Sequence, residues 1–116
     1  ILGWKKQGCV GVVTNATARD TDEIAAQRVP LYFRHPGRGI RPGRNEIESV
    51  NRPVVVGGAL VVPGDVIVAD GDGVIVVPRE HALRVAEFAH RILESDKSGR
   101  RSLYEQSGRE QDASLQ

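Results

Sequence analysis

The chain has 116 residues, 16 Lys and Arg against 15 Asp and Glu, a formal net charge of +1, and 40% hydrophobic residues. That length allows one domain whose core is near the lower end of what folds comfortably, and the charge balance gives no bulk electrostatic ground for nucleic-acid or membrane binding. The single cysteine, Cys9, cannot form an internal disulfide and suits a reducing cytoplasm; no apolar run approaches the roughly 20 residues of a membrane helix, and none reads as a signal peptide.

In chain order, residues 2–7 read as the last turns of a helix, with Lys5 and Lys6 on its exposed end and Gly8 as its stop. Cys9, between Gly8 and Val10 at a strand start, reads as a small buried hydrophobe rather than a nucleophile. Residues 10–14 form a buried strand and residues 20–27 a short helix, with Asp22 and Glu23 at its positive end and Pro30 beyond it. Residues 31–35 read as a second strand, and residues 36–43, rich in Gly, Pro and Arg, as a loop. A basic cluster, Arg34, His35, Arg38, Arg41 and Arg44, lies here. With no aromatic platform beyond Tyr32 and Phe33, it reads as a solvated or intersubunit loop rather than a nucleic-acid surface.

Residues 46–50 alternate weakly, as a strand would. Residues 54–56 and 59–62 are strand material around Gly57-Gly58, a pair that marks a tight turn, a bulge or a close backbone approach. Pro63-Gly64-Asp65 is a turn, and residues 66–69 and 74–77 flank Asp70-Gly71-Asp72-Gly73, where a hairpin is expected. The spaced aspartates also resemble the start of a calcium loop, but the helical frame and later glutamate of such a loop are missing. Residues 79–94 form an amphipathic helix with Ala82, Val85, Ala86, Ala89 and Leu93 along one side. His81 and His90 are not at metal-pair spacing and read as surface groups. From residue 95 the composition turns polar; residues 102–109 extend a helix and the last several are expected to be disordered. The organisation is thus α/β with a mixed sheet, divided into residues 1–95 and a polar tail, 96–116, partly helical or disordered.

Arg19-Asp20 stands out, a fixed cation beside a carboxylate just past a strand end, where α/β proteins collect ligands. A guanidinium grips a carboxylate with two prongs, and an aspartate holds a hard ion such as magnesium. The competing reading is a helix start in which Asp20 caps, Glu23 completes the cap and Arg19 is a surface charge.

Several ordered blocks decide between them. Gly8-Cys9-Val10-Gly11-Val12-Val13-Thr14, then Arg19-Asp20-Thr21-Asp22-Glu23-Ile24, then Asn51-Arg52-Pro53-Val54-Val55-Val56-Gly57-Gly58, and most strongly the stretch 62–78 resemble the RraA-like family. That family includes the class II 4-hydroxy-4-methyl-2-oxoglutarate/4-carboxy-4-hydroxy-2-oxoadipate aldolases and the regulators of ribonuclease E activity. The resemblance covers roughly residues 3–95, as the C-terminal portion of a single RraA-like domain. It implies a swivelling β/β/α sandwich, assembled as a trimer or a dimer of trimers with sites at subunit boundaries.

By the family pattern Arg-Asp-x-x-Glu/Asp, Arg19 takes the substrate-binding and catalytic role and Asp20 the metal-ligand and catalytic role. Glu23 sits at the metal as an outer-shell partner, or is simply a helix-start residue. The implied cofactor is Mg²⁺ or another divalent ion such as Mn²⁺. The implied reaction is cleavage of a 4-hydroxy-2-oxo acid to release pyruvate, with oxaloacetate decarboxylation as a companion activity. No lysine is placed for a Schiff base, which favours the metal route. Glu87 and Glu94 are candidates for an acidic residue contributed by a neighbouring subunit. The family commonly carries Asp-Gly after the threonine, where this chain has Asn15-Ala16. The chain starts Ile1-Leu2-Gly3 without Met, and a missing N-terminal portion is expected to carry the family's glycine-rich loop and an upstream aspartate, supplied within a longer chain or in trans. The alternative is a non-catalytic RraA-type protein that docks on an RNA-degradation enzyme.

Overall fold

The computed structural model describes residues 1–39 and 43–115, so Arg41 of the basic cluster lies outside the described residues. They fall into two compact units that meet in sequence at residues 76 and 77.

The first unit opens with helix α1, Leu2–Lys6. Gly8 stops it at φ 93°, the left-handed conformation glycine adopts freely. The Gly8 and Cys9 N–H groups close back on the Lys5 and Trp4 carbonyls, a Schellman arrangement. The Cys9 thiol bonds the Gly11 carbonyl at 3.1 Å and is half-buried.

A β-α-β unit follows. Strands β1 (Val12–Val13) and β2 (Thr17–Ala18) run in succession, helix α2 (Thr21–Ala26) crosses over, and β3 (Leu31–Tyr32) and β4 (His35–Pro36) return parallel to them. The expected single strand 31–35 is thus two short ones, each paired with a different partner. Val12 faces Leu31 in register, but Thr17 faces His35, so the first stretch carries one residue more than its partner between the two pairings. That is a bulge at Thr14-Asn15-Ala16, closed by the Ala16 N–H on Thr14 Oγ1 at 3.0 Å. The sequence pattern hid β2 because the bulge breaks the apolar run with polar residues.

Helix α2 ends in another Schellman arrangement, with the Val29 and Arg28 N–H groups on the Ile24 and Ala25 carbonyls. Here the left-handed position is Arg28, at φ 52°, not glycine. Lys5 Nζ bonds the Gln27 and Arg28 carbonyls, both at 3.2 Å, a cation at the helix's negative end. Val29, 6% exposed, is buried beside this turn, so the stop lies before Pro30. Arg28→Gly is expected to raise stability by about 0.5–1 kcal/mol by relieving the left-handed penalty. A urea midpoint no higher than that of the parent would show that the turn stores no strain.

Strands β5 (Val54–Val56) and β6 (Ala59–Val61) pair antiparallel across Gly57 and Gly58, both at positive φ, as a two-residue hairpin turn requires. Asn15 Oδ1 accepts the Gly57 N–H at 2.7 Å and ties this hairpin to the bulge. Strands β7 (Val66–Ala69) and β8 (Val74–Val77) pair through the expected hairpin. Asp70 Oδ1 accepts the Asp72 and Gly73 N–H groups at 2.9 and 3.3 Å, so this aspartate serves the turn rather than a calcium loop. Residues 46–50 form no strand. The outer faces stay open: Val55 is 58%, Leu60 61% and Ile75 58% exposed.

The second unit is a single-turn 3₁₀ helix, Arg79–His81, leading into α3, Ala82–Gln106. The helix runs through residue 95 without a break, reinforced by the ion pair of Asp96 and Arg100, four residues apart at 3.0 Å. It ends on Gly108 at positive φ, with the Gly108 and Arg109 N–H groups on the Glu105 and Tyr104 carbonyls. Its apolar stripe is uncovered, Val85 and Leu93 being more than two-fifths exposed.

Beyond α3 the chain turns back instead of fraying as expected. Residues Ala113–Leu115 form a 3₁₀ turn and Leu115 is buried. Arg100 Nη1 donates to Ser114 Oγ at 3.0 Å, Arg101 Nη2 to the Leu115 carbonyl at 3.0 Å, and Tyr104 Oη to Asp112 Oδ2 at 2.7 Å. Bonds from the Ser114 hydroxyl and Tyr104 lower the Asp112 carboxyl from 3.8 to about 2, while the same tie raises Tyr104. A depressed carboxylate stabilises above its unfolded pKa and stops doing so as pH falls through the folded one. Docking of the last turn is therefore expected to hold at neutral pH and to weaken between about pH 4 and pH 2. Asp112→Asn should abolish that acid dependence, read from the Tyr104 ring signals by NMR.

Candidate functional site

The continuing chain after β2 and after β4 emerges at the carboxyl ends of two neighbouring parallel strands, the place where open α/β sheets bind ligands. Past Ala18 come Arg19 and Asp20; past Pro36 come Gly37 and Arg38. Together with Ala18, Thr21 and Pro36 they line an open groove of about 530 Å³.

Arg19 Nε donates to Asp20 Oδ2 at 2.8 Å, with each side chain 51% exposed. An ion pair this exposed contributes only about 0–1 kcal/mol, so it exchanges readily for a ligand and is no structural staple. The bond engages Nε, and the edge with the two Nη nitrogens can still grip a carboxylate with two prongs.

Asp20 holds the N-cap position of α2 but does not cap it, because its side chain makes no bond to the first-turn N–H groups. Its backbone is left-handed, at φ 57° and ψ 37°. Aspartate tolerates that conformation at a modest cost, and such outliers concentrate where a side chain must be aimed. Asp20 thus starts the helix as the competing reading has it, but without the expected side-chain cap. Glu23 lies exposed in the first turn of α2 and does not line the groove. Of the two carboxylates expected at a metal, the structure brings Asp20 alone to Arg19.

Among the described residues no three His, Cys, Asp or Glu side chains gather as a metal-binding group. The donor set in the groove is one carboxylate open to water. That does not suit a closed tetrahedral site. It does suit magnesium, which keeps several waters and binds through one or two carboxylates. No lysine lines the groove, and Lys5 Nζ is engaged at the end of α2.

A larger recess of about 1060 Å³ lies elsewhere in the first unit, lined by apolar side chains such as Val12, Val56, Val61 and Ile67, with Tyr32 and Arg34 its ionisable groups. It is an uncovered packing face rather than a place for an anionic substrate. Two residues were missed by sequence reasoning. Asn15, at the departure from the family's Asp-Gly, ties the bulge to the Gly57 turn. Arg38 belongs to the groove; the signal for it was Pro36-Gly37, a strand end disguised as a loop.

A parallel β-α-β unit, two antiparallel hairpins and a long helix make this an α/β chain. The chain belongs to the RraA-like family: the family model described as Aldolase/RraA matches residues 2–76. It is similar to an uncharacterized protein of Methanocaldococcus jannaschii, 34% identical over 98 residues, covering 83% of this chain and 46% of that one. It is also similar to a Burkholderia mallei protein named "Putative 4-hydroxy-4-methyl-2-oxoglutarate aldolase", 40% identical over 74 residues, covering 62% of this chain and 43% of that one. The crystal structure of an uncharacterized protein from Pseudomonas syringae pv. tomato matches with a TM-score of 0.66 at 30% identity, covering 81% of this chain and 46% of that one. The chain thus spans about half the length of the curated relatives it matches. Among the described residues no helix is long and apolar enough to cross a membrane.

Proposed function

We propose that this chain carries the substrate- and metal-binding groove of a divalent-metal-dependent aldolase that cleaves a 4-hydroxy-2-oxo acid and releases pyruvate, with oxaloacetate decarboxylation as a companion activity. The observation that carries the reading is the pairing of Arg19 with a non-capping, left-handed Asp20 at a parallel strand end. The aldolase name of a relative 40% identical over 74 residues supports it.

In this reading Asp20 would hold Mg²⁺ or Mn²⁺, with Glu23 at most an outer partner. A bound divalent ion supplies Lewis-acid polarisation of the 2-oxo group. Arg19 grips the adjacent carboxylate, fixes the plane of the oxo acid and adds positive potential where the product's oxygen becomes negative. A docking role on an RNA-degradation enzyme would need neither group.

The complete domain, we infer, is a swivelling β/β/α sandwich. The apolar recess and the exposed strand faces are then covered by the rest of the domain, within a longer chain or in trans, and by neighbouring copies in a trimer or hexamer.

Pyruvate release by the full-length protein from a panel of 4-hydroxy-2-oxo acids and from oxaloacetate, with and without magnesium, tests the function. Release that needs the metal is expected; none from any of them would end the aldolase reading. Arg19→Lys keeps the charge but loses the fork. Its kcat/KM is expected to fall roughly ten- to hundredfold, the equivalent of one charge-assisted hydrogen bond. Unchanged kinetics would remove Arg19 from the site.

A further inference from the structure

We propose that Asn15 is a positioning residue for the groove: by accepting the Gly57 N–H it locks the bulge between β1 and β2, and so fixes the direction in which Arg19 and Asp20 leave the strand end. This rests on the keto-acid reading of the groove and adds to it a residue that lies outside it.

The bulge is the joint of this stretch of chain. Before it the Thr14 N–H donates to the Tyr32 carbonyl at 2.9 Å; after it the Arg34 N–H donates to the Ala16 carbonyl at 3.4 Å, and Asn15 is the residue between. Val13 lies opposite Tyr32, so an unbulged strand would set Ala18 opposite Gly37; the structure sets it opposite Pro36. A slip of one residue sends every later side chain of a strand to the other face. The face on which Arg19 and Asp20 emerge is therefore decided at the bulge. Beyond it the strand end is firmly held. The Gly37 N–H donates to the Ala18 carbonyl at 2.8 Å, and Gly37 approaches so closely that a Cβ there would lie 2.9 Å from Thr17 Cβ.

Asn15 holds that joint from outside. Gly57 is the first residue of the turn that joins Val56 to Ala59, so its N–H stands outside the ladder of β5 and β6. Asn15 Oδ1 accepts it at 2.7 Å, across 42 residues of sequence. The bond of the Ala16 N–H to Thr14 Oγ1 is local and travels with the bulge, whereas the bond to Gly57 anchors the bulge to a separate hairpin. The Asn15–Gly57 bond is exposed and adds little to global stability. Its effect falls on the short run of chain from Asn15 to Asp20.

The test compares the full-length parent protein with Asn15→Ala, which removes the acceptor, and Asn15→Asp, which keeps an oxygen acceptor for the Gly57 N–H. In the isotopically labelled protein without metal, Asn15→Ala is expected to shift the backbone amide signals of Arg19 and Asp20, beyond the immediate neighbours of the substitution. Its kcat for magnesium-dependent pyruvate release from oxaloacetate should fall roughly tenfold or more, as for a displaced reacting geometry, with KM changed by less than about threefold. Its urea midpoint should stay near the parent's. Asn15→Asp should return both the Arg19 and Asp20 signals and kcat toward the parent's values. Unmoved Arg19 and Asp20 signals, an unchanged kcat, no recovery in Asn15→Asp, or an Asn15→Ala protein that unfolds would each overturn the positioning role while leaving the keto-acid groove standing. A parent protein that releases no pyruvate from oxaloacetate or from any 4-hydroxy-2-oxo acid would overturn both.

Discussion

Asp20→Asn is expected to abolish magnesium-dependent pyruvate release and leave the fold intact. Asparagine shares aspartate's tolerance of the left-handed backbone that position 20 adopts, so the substitution removes charge without moving the chain. The lost ion pair with Arg19 is half-exposed and contributes only about 0–1 kcal/mol to stability. The lost hard-oxygen charge matters far more, because this is the carboxylate the groove offers a cation. A drop of at least about a hundredfold in turnover is expected, beyond what loss of an outer-shell partner costs. A folded variant with the parent's activity at limiting magnesium would show that Asp20 holds no metal.

The second large effect concerns the 116-residue chain by itself. It is expected to turn over near background and to persist only as an oligomer or with a complementing segment. Among the described residues the buried hydrophobic side chains are Val29, Val77 and Leu115. Meanwhile the strand faces of the first unit and the stripe of α3 remain in water. Apolar patches of this kind mark interfaces, and obligate assemblies often have no stable folded monomer. Sedimentation of the purified chain, paired with a pyruvate assay before and after adding the upstream half of a homologous domain, reads both points. A monodisperse monomer with full activity would contradict the assembly reading.

How far the sequence reached depends on the element. Gly8 was legible as a helix stop because only glycine takes that backbone cheaply, and the hairpin at Asp70–Gly73 was legible from its Asp and Gly residues, while Gly57-Gly58 marked a tight turn, a bulge or a close backbone approach, of which the structure has the tight turn. The end of α2 was legible to within a residue, but its left-handed turn was not, since Arg28 performs glycine's task and nothing in its identity announces it. Strand β2 and the split of 31–35 were hidden by a one-residue bulge, whose polar residues read as the end of a strand rather than as a shift of register. The polar tail was read from composition alone. Composition cannot see that Arg100 and Arg101, on one turn of the helix, and Tyr104, on the next, meet the returning chain. At the groove, Arg19 and Asp20 were found because they are adjacent in sequence. Arg38 was not, because only parallel pairing brings it to them.

The claim that Asp20 and its neighbours form a cation and keto-acid groove is tested most directly by adding Mn²⁺ to the isotopically labelled protein and reading which backbone amides broaden by paramagnetic relaxation. The expected result is broadening centred on residues 18–21 and 37–38, absent in Asp20→Asn and displaced by excess Mg²⁺. Broadening centred instead on the Asp70–Gly73 turn or on Asp112, or a pattern unchanged in Asp20→Asn, would contradict it.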